Sequence, residues 1–189
     1  MGYVEDEKYE HIDFLKTDIK AFSEYENCVF INCNFYEANL SDIKFVACEF
    51  RDCNLSMAKT NGTAFRDVCF TSCKMLGIRF DSCNQFGLAF VFDGCNLSHS
   101  SFFQNKIRKT KFYKCDLEGV DFSQCDLSAS IFTECKLHMA TFDNTLIENA
   151  DFRTSFGYHI DPENNYIKHA KFSIAGLPGL LTKYNIDIE

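Results

Sequence analysis

Eleven cysteines, five histidines and 27 carboxylates are the groups in this 189-residue chain that could ligate a metal, attack a substrate or move a proton. Their spacing decides between those uses. No Cys-x-x-Cys occurs, and His11, His99, His138, His159 and His169 form no pair at ligand spacing, so the pattern does not describe a zinc site. There is no Gly-x-Ser-x-Gly, phosphate loop or dinucleotide fingerprint. The sequence predicts no catalytic residue, no cofactor and no metal.

The cysteines instead follow a count of five. From Phe30 to Phe80, and again from Phe92 to Phe152, every fifth residue is apolar except Thr60. Two residues before nearly all of these (Phe90 and Asn105 are the exceptions) lies a small or β-branched residue, and ten of the 11 cysteines fall in that second set. Cys69 alone sits between the two sets. A helix would repeat at three and four and an ordinary strand at two, so a sustained five fits neither. One large and one small inward residue per five fill a narrow, densely packed interior. The slot between them is often Asn or Asp, as in Cys33-Asn34-Phe35 and Cys115-Asp116-Leu117. Such side chains suit corners because they bond nearby backbone groups. Stacked pairs such as Cys33 and Cys53 would approach disulfide distance. A cytoplasmic setting keeps thiols reduced, and the cysteines read as packed core thiols.

Every twentieth residue repeats the same type: Phe92, Phe112, Phe132 and Phe152; Phe102, Phe122 and Phe142; Phe30, Phe50 and Phe70, with Phe90 next in line. Twenty is four fives, so each coil has four sides and like side chains stack. The predicted fold is an all-β solenoid, a four-sided β-helix with short C-terminal helices. Residues 1–11 form an N-terminal segment. Residues 12–156 carry the repeats, with register slips near residues 20–25 and 83–91, and Gly87 suits a bulge at the second. Residues 157–189 form a cap. There, Asp161-Pro162 reads as a helix start running to about His169. Leu177, Leu180, Leu181 and Tyr184 make one apolar helical stripe. Ile186 and Ile188 alternate with acids like a short strand. A helix that short must dock on something, either as a lid over the last coil or in a homodimer.

Hydrophobic residues make up 46% of the chain and no run is long enough to span a bilayer. The acidic N-terminus does not resemble a secretory signal. A cytoplasmic location is expected.

The Ala/Cys-Asp/Asn-Leu/Phe-x-x pattern resembles the pentapeptide-repeat family, whose fold is a right-handed quadrilateral β-helix. The interruption at Asn84-Gln85-Phe86-Gly87-Leu88 and the tail with Ile160-Asp161-Pro162-Glu163 and Gly179-Leu180-Leu181 are similar to the quinolone-resistance branch and its relatives among microcin immunity proteins. The resemblance implies a dimer joined through C-terminal helices that mimics duplex DNA and binds DNA gyrase or topoisomerase IV. Many members of that branch carry long loops that matter for drug protection; here the interruptions are one or two residues.

The formal net charge is −8. Residues 1–24 hold seven acids and three bases, residues 25–155 hold 16 and 13, and the remainder four and three. Duplex DNA carries a charge every ~1.7 Å of axis, far more than this rod. Asp116, Asp121 and Asp126 are the expected acidic partner surface, along one side. Lys106, Arg108, Lys109, Lys111 and Lys114 make a basic patch, but net acidity argues against direct nucleic-acid binding. A protein-binding scaffold unrelated to topoisomerases is the alternative function.

Overall fold

The computed structural model describes residues 2–16, 19 and 23–188. The chain winds in four-sided coils, and we number the sides as faces 1 to 4 in the order the chain meets them. Strands β1 (Tyr3–Glu5), β3 (Glu24–Glu26), β5 (Lys44–Val46) and β7 (Ala64–Arg66) stack in parallel on face 1. Face 2 is a seven-stranded parallel sheet of β2 (Lys8–Glu10), β4 (Val29–Ile31), β6 (Glu49–Arg51), β8 (Val68–Thr71), β9 (Phe90–Asp93), β10 (Lys111–Tyr113) and β11 (Ile131–Thr133). Faces 3 and 4 are held by isolated parallel bridges, among them Asn34 to Asn54 and Asn54 to Lys74 on face 3, and Ser101 to Asp121 on face 4. Stacked strands of this kind lie about 4.8 Å apart.

The inward large residues form ladders. On face 2, Phe92, Phe112, Phe132 and Phe152 lie ring over ring at 5.3, 4.8 and 4.5 Å, with planes within 10° of parallel. The ladder extends through Phe70, Phe50 and Phe30 to Tyr9. Phe102, Phe122 and Phe142 form a second ladder on face 4, opposite, at 5.3 Å per step. Rings of the two ladders meet edge to face across the interior, as Phe112 meets Phe122 at 6.0 Å and 78°, a geometry the ring quadrupole favours. Thr60, the one polar member of the series, is buried and donates its hydroxyl to the Arg79 carbonyl at 2.7 Å.

Six thiols, from Cys33, Cys53, Cys73, Cys95, Cys115 and Cys135, stack in the corner between faces 2 and 3. Each Sγ donates to the carbonyl two residues before it or to one in the preceding coil; Cys53 Sγ is 3.3 Å from both Arg51 O and Phe30 O. Ser155 occupies the next place and makes the same contact with Phe132 O at 2.8 Å. All described cysteines are free thiols. Cys69 points outward on face 2 between Glu49 and Val91.

The Asn and Asp slot is on the flat sides and not at the corners. There the side chain holds the turn that follows: Asn54 Oδ1 accepts from Ser56 N and Asp121 Oδ1 from Ser123 N. The corner itself is the next residue on, with positive φ, as at Glu37, Met57 and His99.

Several boundaries differ from the sequence reading. Pairing begins at β1, because Tyr3 and Lys8 lie beside Glu24 and Val29. That offset of 21 places one extra residue between Asp13 and Glu24, and the expected slip near residues 20–25 falls partly outside the described residues. The coil continues past residue 156: Tyr166 and Lys171 bridge Leu146 and Asp151, and Phe172 stacks on Phe152 at 5.4 Å. No helix forms from Asp161 to His169. Asn165 turns inward there and bonds Phe142 O and Asp161 O, which commits the backbone to another turn of solenoid. The apolar stripe yields one four-residue helix, α1 (Pro178–Leu181), followed by a 3-10 turn over Thr182–Tyr184. Asn185 is left-handed, and Ile186 and Ile188 leave it without pairing as a strand.

Phe90 is not in the Phe70 column. Phe70 pairs with Phe92, and Phe90 with Val68. The two extra residues lie within 85–88, since Asn84 N still reaches Thr63 O while Phe65 O is met by Ala89 N. Gly87 has φ +71° at this bulge, and Phe86 stands 77% exposed with the Arg66 guanidinium 5.3 Å from its ring.

Candidate partner-binding faces

A packed interior leaves only the outside for function. Each face shows solvent two side chains per coil plus a corner, and the stacking turns these into columns. Asp116, Asp121 and Asp126 occupy equivalent slots on faces 3, 4 and 1, bridging Asn96, Ser101 and Lys106 respectively. They run around one coil and do not form a row, because five residues is one side of the square. Asp126 is also nearly buried, 2.5 Å from Arg108 Nε and 2.6 Å from Ser128 Oγ. Burial works against its charge, but the bonds from Ser128 and Arg108 outweigh it and hold the carboxyl below its ordinary range. Asp116 faces Lys136 at 3.8 Å. Of the three, Asp121 alone has no ion pair among the described residues.

The row of acids is on face 4. Among the described residues, Asp42, Asp81, Asp121, Asp143, Asp161 and Glu163 lie along it or its following corner, against Lys59 and Arg79. Arg79 is spent on Asp81 at 2.6 Å. Beyond Arg79 the face carries no cation of its own, and its remaining outward residues are mostly Ser, Thr, Asn and Gln. Lys106, Lys109, Lys111 and Lys114 lie on faces 1 and 2 of a single coil, away from it. The signal was present in the sequence: residues 121, 143, 161 and 163 share two columns once counted by twenty.

At the C-terminal end, Lys183 Nζ lies 2.7 Å from Asp161 and 2.6 Å from Glu163, and Tyr184 donates to Glu163 at 2.9 Å. These contacts fasten the cap to the last coil and hold the Asp161 carboxyl below its usual range. Leu177, Tyr184, Ile186 and Ile188 stay exposed, while Leu180 and Leu181 are half-buried and Leu180 packs on the core. A cleft of about 260 Å³ lies between cap and coil, lined by Phe156, Tyr158, His159 and Pro178 among others. Among the described residues, no group of three or more His, Cys, Asp or Glu converges to hold a metal ion, and no helix is long and apolar enough to cross a membrane.

A family model for pentapeptide repeats matches residues 110–149 in eight copies, and the same four-sided coil continues on both sides of them. The chain folds as a pentapeptide-repeat β-solenoid. Full-length QnrB1, a plasmid-mediated fluoroquinolone resistance protein, is similar with a TM-score of 0.64 at 16% identity, over 98% of this chain and 100% of that one. A trypsin-treated form of QnrB1 gives 0.63 at 18% identity over the whole of both chains. HetL of the cyanobacterium Nostoc sp. strain PCC 7120, a pentapeptide-repeat protein involved in regulating heterocyst differentiation, gives 0.51 at 13% identity over 89% of this solenoid and 86% of its own chain. At these identities the likeness is one of fold. No curated protein matches the sequence.

Proposed function

We propose that this solenoid is a non-catalytic binder of a type II topoisomerase, DNA gyrase or topoisomerase IV, of the quinolone-resistance or immunity kind. Face 4 lies in the enzyme's DNA-binding groove. The observation that carries the reading is the segregation of charge: among the described residues, one long side of the rod carries six carboxylates against Lys59, Arg79 and the cap's Lys183, with the lysine cluster elsewhere. Carboxylates gathered along one side of a rigid rod offer a basic groove what a phosphate backbone offers, at lower charge density. The resemblance to the quinolone-resistance branch supplies the enzyme class. The same reading includes a homodimer through the cap, whose exposed Leu177, Tyr184, Ile186 and Ile188 would otherwise face water.

A supercoiling assay tests it. The protein is expected to inhibit gyrase or topoisomerase IV of its host, or to restore activity in the presence of a quinolone. Asp121→Lys with Asp143→Lys should abolish the effect, and Lys109→Ala should leave it. Absence of any effect up to tens of micromolar rejects the proposal.

A further inference from the structure

The acid row ends on a cation of the chain's own cap. Asp161 and Glu163 are its last members, and Lys183 Nζ lies 2.7 Å from the first and 2.6 Å from the second. Tyr184 donates its hydroxyl to the same Glu163 at 2.9 Å. The Lys183 side chain is 24% exposed and that of Glu163 73%, so the pairs sit at the surface, where such contacts are weak. Asp121 and Asp143, the acids before them, have no ion pair among the described residues. Lys183 is therefore seated where a partner's cation would sit.

The cap that carries it is lightly held. Among the described residues, one backbone bond ties cap to coil, from Ile160 N to Gly179 O at 3.0 Å. Leu180 packs on the core, and the cleft of about 260 Å³ lies between the coil and the rest. Beside Gly176 the Tyr158 hydroxyl is buried with no hydrogen-bond partner, which opposes docking. The 3-10 turn Thr182–Tyr184 has no buried residue. Little besides the two ion pairs and the Tyr184 bond keeps this turn down.

We infer that Lys183 is an autoinhibitory latch: it fills the C-terminal end of the acid row in the free protein and is displaced when a cationic partner lies along face 4. Its ammonium is a point charge on a flexible stem, which leaves both carboxylates without any change in the coil. The partner then meets Asp121, Asp143, Asp161 and Glu163 within about 10 Å of axis, where the closed latch leaves only the first two unpaired. The coupling is reciprocal: whatever holds Lys183 down weakens the partner, and the partner frees Lys183. The latch rests on the reading of face 4 as a surface offered to cations, and not on which enzyme supplies them.

Acetylated hexa-arginine amide, a polycation without an amine, is the probe, used with the full-length chain. Calorimetry gives its affinity. Lys183→Met is expected to bind it about threefold to tenfold more tightly than the wild type, from two exposed pairs removed. Lys109→Met makes the same change in net charge away from the row and should shift the affinity by less than about twofold, because salt screens distant charges. Lys183→Arg should stay at the wild-type value. Acylation by an N-hydroxysuccinimide ester, read by mass spectrometry, follows the latch itself. Saturating peptide should speed the reaction at Lys183 and leave that at Lys109 unchanged. The latch is overturned if neither wild type nor variant binds the peptide, if Lys183→Met binds no more tightly than Lys109→Met, or if Lys183 stays protected with peptide bound. A supercoiling assay that fails while these results hold rejects the enzyme and keeps the latch.

Discussion

The ring of Phe112 lies 4.8 Å above that of Phe132 with their planes 8° apart, and neither ring is more than 1% exposed. Residues twenty apart in sequence are thus in face-to-face contact inside a dry interior. The outward columns, the acids of face 4 among them, follow from this stacking and from the two extra residues within 85–88, because a column on the inside fixes a column on the outside.

Removing a rung should be costly. Phe122 sits between Phe102 and Phe142 and is fully buried. Phe122→Ala is expected to cost about 3–5 kcal/mol, from lost burial and the cavity left behind. Lys136→Ala, on the outside, should change stability by less than about 0.5 kcal/mol. Denaturant unfolding of both variants checks the contrast.

Corners offer a change in the other direction. Ala129 is held at φ +59°, which its Cβ disfavours. Glycine meets no such penalty, so Ala129→Gly should stabilise by up to about 1 kcal/mol, although glycine in a strand or helix normally destabilises. Gly119→Ala should do the reverse, and by more, since its new Cβ would also press on His99. Thermal unfolding of the pair reads both signs.

The thiols predict an alkaline limit. Burial pushes Cys48 and Cys83 up from 9.0 to about 12. The folded chain therefore keeps protons that the unfolded chain releases, so the contribution is complete below about pH 9 and is lost as pH rises toward 12. Unfolding free energy should fall across that window, and Cys83→Ala should flatten the slope. An unchanged slope would mean that the buried thiol does not control it.

All eleven cysteines should titrate with a thiol reagent in denaturant without reductant, and nearly all should resist it in the native state. Cys69, half-buried on face 2, should react first. Several thiols missing in denaturant would show disulfides between stacked pairs.

The sequence by itself determined the period, the inward residues and the stacks. Those depend on hydrophobic burial, and a residue such as Phe102 or Cys115 declares its side by its type wherever the count of five places it. Even the bulge was legible, as two residues too many before Phe92. Three things were decided only by the tertiary structure. Phe90 left the Phe70 column because the local hydrogen bonds, and not the count, set where the extra residues lie. Asp161 to His169 became another turn because Asn165 found carbonyl partners in the coil beneath, where a lone helix would have found none. The acid row was completed only in the fold, because the placement of the two extra residues within 85–88 is what aligns Asp42 and Asp81 with Asp121 and the acids after it. Surface chemistry carries no hydrophobic label that assigns it to a side, so its grouping follows from the winding of the backbone alone.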